Sequence, residues 1–225
     1  MKKRIILVRH GRQNSNKCNV DVPLAPEGVL QAELLAKRLK GESFDIMYTS
    51  TLIRAIQTGD IINQELGLDV VRRAGINEID WGDIVGLDHK ERFEKYSFFM
   101  HERSLRTSDL PFPGGESGEE CFNRAYPVIK EIISSEYNSI LVVTHGGLIR
   151  ALICGLLGIP FKHKLDFGSS LENTSLTEFL YDSETELFSL ERLNDYNHLD
   201  GHIELMRSSW KEKWNYFYSN RKIFL

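Results

Sequence analysis

Cysteine is scarce. Three in 225 residues, Cys18, Cys121 and Cys154, are odd in number and far apart. They form neither a disulfide framework nor a C-x-x-C pair of the kind that binds zinc, so structural or incidental thiols are expected. No apolar run approaches the ~20 residues that a membrane-spanning helix needs. The stretch from Ile5 to Val8, behind a basic start, is far too short for a signal-peptide core. A cytoplasmic protein without a membrane partner is expected. Excess positive charge is also missing: the formal net charge is −4, which leaves no electrostatic footprint for nucleic acid. Any cationic site must therefore be locally concentrated. Repeats, low-complexity stretches and metal-ligand spacings are absent too, so no metal or cofactor is expected. With 41% hydrophobic and 27% charged residues, the chain suits one α/β domain with decorations.

The hydrophobic pattern alternates between strand and helix. The run from Ile5 to Val8 is apolar and β-branched, as in a central strand covered on both faces, and it ends at Arg9-His10-Gly11. From Pro26 to Leu39, Val29, Ala32, Leu35, Ala36 and Leu39 recur at helical spacing before Gly41. Residues 45–49 read as a second strand, residues 51–66 as a helix closed by Gly67, and Val70 and Val71 as a short strand. Ser117-Gly-Glu-Glu120 fits a capping box that opens a long helix through Phe122, Ala125, Val128, Ile129 and Ile132. Residues 140–143 form another buried-type strand, ending at Thr144-His145-Gly146-Gly147, and residues 148–157 read as a helix. Residues 175–180 and 187–193 resemble an edge hairpin.

Two strands thus end in a His-Gly. In open α/β sheets, ligands bind outside the carboxyl ends of the strands, so His10 and His145 are expected to face one crevice. Two imidazoles with Arg9 suit a dianion. Arg54 begins the helix after the second strand, and arginine is favoured for bidentate phosphate contacts.

These segments together resemble the histidine phosphatase (phosphoglycerate-mutase-like) superfamily. The resemblance rests on Leu7-Val-Arg-His-Gly11 with Asn16, on Pro23-Leu24 with Gly28 and Gln31-Ala32, on residues 50–58, and on Ile76-Asn-Glu-Ile-Asp-Trp-Gly82 with Gly86. It continues in Pro113-Gly-Gly-Glu-Ser117 with Arg124, in residues 142–151, and in Asn173-Thr-Ser-Leu176. A lone R-H-G triplet is a weak signal, but the ordered set is strong. It implies a three-layer α/β/α sandwich around a mostly parallel sheet, and a small-molecule phosphomonoester as substrate. His10 is then the nucleophile that forms a phosphohistidine. Arg9, Arg54 and His145 surround the equatorial phosphoryl oxygens. Asn16, Gly11 and the Gly146 amide line the substrate site, and Glu78 is the general acid, with Asp80 and Asp83 next in order.

Departures from the family pattern bear on substrate rather than on chemistry. Arg12 and Gln13 stand where an acidic or amide residue and a hydroxyl residue are usual. The loop between Asn16 and Pro23 is shorter than in the well-known mutases. The shortened loop and the modest lid favour hydrolysis, with a phosphoglycerate mutase as the rival and a non-catalytic phospho-ligand module as the alternative of another class. Residues 87–110 read as a lid, with Phe93, Tyr96, Phe99 and Met100 at helical spacing and with His101, Arg103 and Arg106 read first as a solvated basic face and next as a contact for a second anionic group. After residue 200, Ile203, Met206, Trp210, Trp214 and Phe217 predict an amphipathic C-terminal helix that docks on its own domain or, next, forms a dimer contact or a pocket wall.

Overall fold

The structure, a computed structural model, describes residues 2–168 and 170–207. Its centre is a six-stranded sheet in the order β3-β2-β4-β1-β5-β6. β1 (Lys2–Arg9), β4 (Ser139–Thr144), β2 (Ile46–Thr49) and β3 (Val70–Arg72) are mutually parallel. β5 (Leu176–Asp182) runs antiparallel to β1, and β6 (Leu187–Asp195) completes the edge hairpin.

Side chains alternate across each central strand, and the core divides accordingly. Ile5 and Leu7 of β1, Ile140 and Val142 of β4, and Ile46 and Tyr48 of β2 face one layer. There they meet α4 (Gly118–Ser134) and α5 (Gly146–Leu157). Ile6, Val8, Leu141, Val143 and Met47 face the other, packing on α1 (Pro26–Leu39) and α2 (Ile53–Leu66). Each fully buried aliphatic side chain contributes roughly 1.5–3 kcal/mol, and this two-sided burial is why β1 and β4 read as unbroken apolar runs. The result is the expected α/β/α sandwich.

Local signals place the helices. α1 has Pro26 at its start, where a missing N–H costs nothing, and buries Gln31, Ala32, Leu35, Ala36 and Leu39. Val29, expected on that face, is half-buried, because Gly28 takes the contact instead. α2 ends on Gly67 in the left-handed conformation (φ 63°). α4 opens on the full Ser117–Glu120 capping box.

α3 (His89–Leu105) lies in the expected lid region, capped by Asp88 and Glu91, but it has no fully buried residue. Its backbone leaves helical geometry at Tyr96 (φ −125°), so the two halves are out of phase. Phe93 is 60% and Phe98 77% exposed. The single apolar face expected of Phe93, Tyr96, Phe99 and Met100 therefore does not form, although Phe99 packs on Phe112. After β6 the chain makes single tight turns at residues 197–199 and 203–205. The helix expected through Trp210, Trp214 and Phe217 lies outside the described residues. Among the described residues, no helix is long and apolar enough to cross a membrane.

Candidate active site

β1, β4 and β2 end level with one another. Arg9 pairs with Thr144 and Thr49 with Val143, and the ladder runs one residue further through His10 N–H to Thr144 O (2.9 Å) and Ser50 N–H to Val143 O (3.0 Å). Three polar residues, His10, Ser50 and His145, are thereby delivered side by side at the carboxyl edge, with the His10 and His145 ring centroids 5.0 Å apart. The start of β5 meets the same edge, where Thr174 N–H donates to Arg9 O (2.9 Å) and Asn173 Nδ2 donates to His10 O (2.7 Å).

His10 is 4% exposed. Its Nδ1 lies 2.6 Å from the Gly11 carbonyl, which can only accept, so the ring proton sits on Nδ1 and Nε2 keeps its lone pair. That assignment comes from hydrogen bonding. Arg54, 1% exposed, donates from Nε to His10 Nε2 at 3.3 Å, a long bond. Its other nitrogens are fixed by Val20 O and Asn19 Oδ1, both at 2.9 Å. Burial, then the charges of Arg54, His145 and Arg9, hold the His10 pKa well below the ordinary histidine value. The imidazole is therefore neutral and nucleophilic.

Donors without a partner lie on residues next to His10. His145 is fully buried; burial, Arg54 and Arg9 keep it neutral. Its Nε2 is 2.7 Å from Ser50 Oγ, which already accepts the Leu52 N–H. With the Ser50 hydroxyl donating to Nε2, His145 Nδ1–H is left without a partner among the described residues. Arg9 Nε is buried and unpaired as well, while its Nη1 donates to Leu171 O. Gly146 is the first residue of α5, where backbone amides lack intrahelical acceptors and the helix dipole is positive. Buried orphan donors are costly, and a bound anion would satisfy them.

Glu78 lies on an irregular segment that other residues brace. Arg124 donates to the carbonyls of Gly75 (2.8 Å) and Glu78 (3.1 Å) and pairs with Glu116 (2.7 Å). Glu116 in turn receives the Asp80 N–H at 2.9 Å. The Glu78 carboxylate accepts from the amides of Ile79, Gly147 and Leu148 at 3.0–3.2 Å, across the start of α5. Gly147 makes room for it, since a Cβ there would fall 2.5 Å from Glu78 Oε1.

Beside this centre is a cavity of about 230 Å³ lined by Arg9, Glu78 and Gly146 and, further out, by Trp81, Arg103, Phe112, Arg150, Lys164 and Arg207. His10, Arg54 and His145 adjoin it rather than line it.

The structure brings together His10, Arg9, Arg54, His145, Glu78 and Gly146. It does not bring Asn16 there: Asn16 is exposed, and Asn19, at φ 46°, holds Arg54 instead. Gly11 is buried with its N–H given to Thr58 Oγ1 (3.0 Å), and a Cβ on it would meet the Gly28 carbonyl at 2.5 Å. Its smallness thus serves packing on α1 rather than approach to a ligand. Asp80 and Asp83 are exposed. The basic face expected of the lid divides: His101 and Arg106 are exposed, the latter paired with Asp166, whereas Arg103 turns into the cavity. Ser50 and Asn173 stand in the motifs that carry the resemblance, but the sequence assigned them no role; their place beside strand ends on the same sheet edge is the signal that could have found it.

Comparison with known proteins shows the family. The family model for the histidine phosphatase superfamily (branch 1) matches residues 5–196, and the chain belongs to that family. A 2,3-bisphosphoglycerate-dependent phosphoglycerate mutase from Bradyrhizobium diazoefficiens is 36% identical over 194 residues, covering 74% of this chain and 94% of that protein. The corresponding mutase of Brucella melitensis is also 36% identical, covering 75% and 90%. Among solved structures, a mycobacterial glucosyl-3-phosphoglycerate phosphatase superposes with a TM-score of 0.79 at 26% identity, covering 86% of this chain and 99% of that one. Bacillus stearothermophilus YhfR gives 0.76 at 26% identity, covering 88% and 99%.

Proposed function

We propose that this protein is a phosphatase that hydrolyses a phosphomonoester through a phosphohistidine at His10. The observation that carries the reading is the buried imidazole with its proton on Nδ1 and its lone pair on Nε2, with unpartnered buried donors on the neighbouring Arg9 and His145. Nε2 attacks phosphorus in line and the P–O bond to the leaving group breaks, with charge on the equatorial oxygens taken up by Arg9, Arg54 and His145 Nδ1. Glu78 delivers a proton to the leaving oxygen and then receives one from the water that cleaves the phosphohistidine. Every proton has a carrier, and the reaction draws on no metal.

Mutase activity is the second reading, favoured by the two 36% identical relatives named for it. Hydrolysis is preferred because this chain is shorter in the matched region. The alignment with the Bradyrhizobium protein runs over 194 positions yet covers 74% of a 225-residue chain. The short loop before Pro23 fits that difference. Incubation with 3-phosphoglycerate and its bisphosphate primer is expected to give little 2-phosphoglycerate, while a panel of sugar, nucleotide, glycerate and protein monoesters yields inorganic phosphate from at least one member. Efficient isomerisation without phosphate release would reverse the ranking.

The same charges set an inhibitor profile. Vanadate and phosphate are expected to compete with substrate, and EDTA to leave turnover intact. The mycobacterial phosphatase has been solved with both inorganic phosphate and VO3. Turnover that collapses in EDTA and returns with a divalent ion would contradict the metal-free reading.

A further inference from the structure

The segment entering β5 is strained. Of the non-glycine residues at positive φ among those described, Thr174 (φ 58°) alone is β-branched and alone is fully buried. A branched Cβ is badly accommodated in the left-handed region, where glycine or asparagine is usual. Two orphaned polar atoms flank it, since Asn173 Oδ1 and Ser175 Oγ are buried without a hydrogen-bond partner among the described residues. Such costs persist only where the surrounding structure imposes them, and they gather at functional sites.

What the segment holds is the turn that carries His10. The His10–Gly11 peptide group is fixed at both ends, its carbonyl by Asn173 Nδ2 (2.7 Å) and its N–H by Thr58 Oγ1 (3.0 Å). The next N–H, of Arg12, goes to Gln31 Oε1 at 2.8 Å, and the Gly11 carbonyl between them meets His10 Nδ1. Thr58 and Gln31 belong to α2 and α1, whereas Asn173 holds the turn from the β5 side. With Thr174 in the left-handed region, the Asn173 side chain and the Thr174 N–H reach successive carbonyls, those of His10 and Arg9.

Behind Thr174 stands the half-buried His198. Its Nδ1 faces Arg38 Nη1 across a long 3.5 Å contact, and a guanidinium can only donate, so the ring proton sits on Nε2. Nε2 donates it to Thr174 Oγ1 at 2.9 Å, and that hydroxyl donates in turn to the Asn173 carbonyl at 2.6 Å. Arg38 is itself held by both oxygens of Asp195. Burial and then the Arg38 charge, opposed by Asp195, pull the His198 pKa down to about 4, which keeps the ring neutral and donating in one direction. Asn173, Thr174 and His198 do not line the cavity.

We propose that Asn173 is a positioning residue for His10, held in that role by Thr174 and His198: together they keep the His10–Gly11 peptide oriented so that the His10 proton stays on Nδ1. That the nitrogen left bare is a nucleophile rests on the proposed phosphatase reading.

Nitrogen-15 NMR of the His10 ring in the full-length protein, free of substrate and assigned by its absence from His10→Ala, reads the positioning directly. The unaltered protein is expected to show one neutral tautomer with its proton on Nδ1. Asn173→Ala and His198→Leu are expected to mix the tautomers, moving the two ring-nitrogen resonances toward each other. His198→Gln, which keeps a donor near the Nε2 position, and Thr174→Ser, which keeps the hydroxyl, should retain most of the parent pattern. Single-turnover phosphorylation by p-nitrophenyl phosphate should fall ~10- to 100-fold in Asn173→Ala and His198→Leu, the scale for a small misplacement of a reacting group, with phosphate affinity little changed. Melting curves confine the comparison to folded protein, and if Asn173→Ala does not fold, His198→Leu carries the test. An unchanged His10 spectrum, an unchanged phosphorylation rate, or equal losses in His198→Leu and His198→Gln would overturn the proposal. A ring that responds in a protein forming no phosphohistidine keeps the positioning role and removes the phosphatase, and a phosphohistidine on an unresponsive ring does the reverse.

Discussion

Replacing His10 with alanine is expected to lower phosphate release from every substrate, alkyl or aryl, on the order of 10⁴-fold or more, the scale seen when a covalent nucleophile is removed. Two features set that size. The His10 imidazole, the proposed nucleophile, is held neutral by burial and by Arg54, His145 and Arg9, and the neighbouring imidazole is not placed to take over. His145 is fully buried and its Nε2 is committed to Ser50. The loss should appear in single-turnover phosphorylation, with the thermal melting curve checked because His10 also anchors its own turn through Gly11 O. Retained phosphoenzyme in His10→Ala would place the nucleophile elsewhere.

The second large effect is selective. A general acid matters in proportion to how poor the leaving group is, because an alkoxide cannot depart until a proton reaches it, whereas p-nitrophenolate leaves unaided. Glu78→Gln is therefore expected to slow phosphorylation ~10²- to 10⁴-fold with an alkyl phosphate and far less with p-nitrophenyl phosphate. The ratio is the informative quantity. Glutamine offers one acceptor oxygen where the carboxylate offers two to the amides of Ile79, Gly147 and Leu148, so some loss on both substrates reflects altered seating. Equal losses would leave Glu78 a structural role. Asp80 and Asp83, the next acids in the segment, are exposed.

Much of this site was legible in sequence because its parts are strand ends. An apolar run such as Ile5–Val8 fits a strand buried on both faces, so the residues after it lie at the sheet's carboxyl edge. That logic located His10 and His145 from local pattern alone. Asn16 and Asn19 show where it stopped. The loop before Pro23 has no periodicity, and the choice between two asparagines is made by the reach of Arg54, which comes from a distant helix. α3 failed differently, since the kink at Tyr96 breaks the phase that its apolar spacing assumes. The helix at Leu148 begins two residues earlier, at Gly146, and Gly147, which looks like a break, instead admits the Glu78 carboxylate. Arg103, Arg150 and Arg207 come from three separate stretches of chain and meet only in the folded cavity. No local spacing records such a meeting.

The central claim is a covalent phosphoryl group on one nitrogen of one histidine. Acid quench of a single turnover with a labelled monoester, followed by peptide mapping and phosphorus NMR of the phosphopeptide, tests it most directly. The expected product is acid-labile, base-stable and confined to His10, with phosphorus on Nε2, because Nδ1 is held by the Gly11 carbonyl. Label on His145, on Nδ1, or on no residue while substrate is consumed would contradict it.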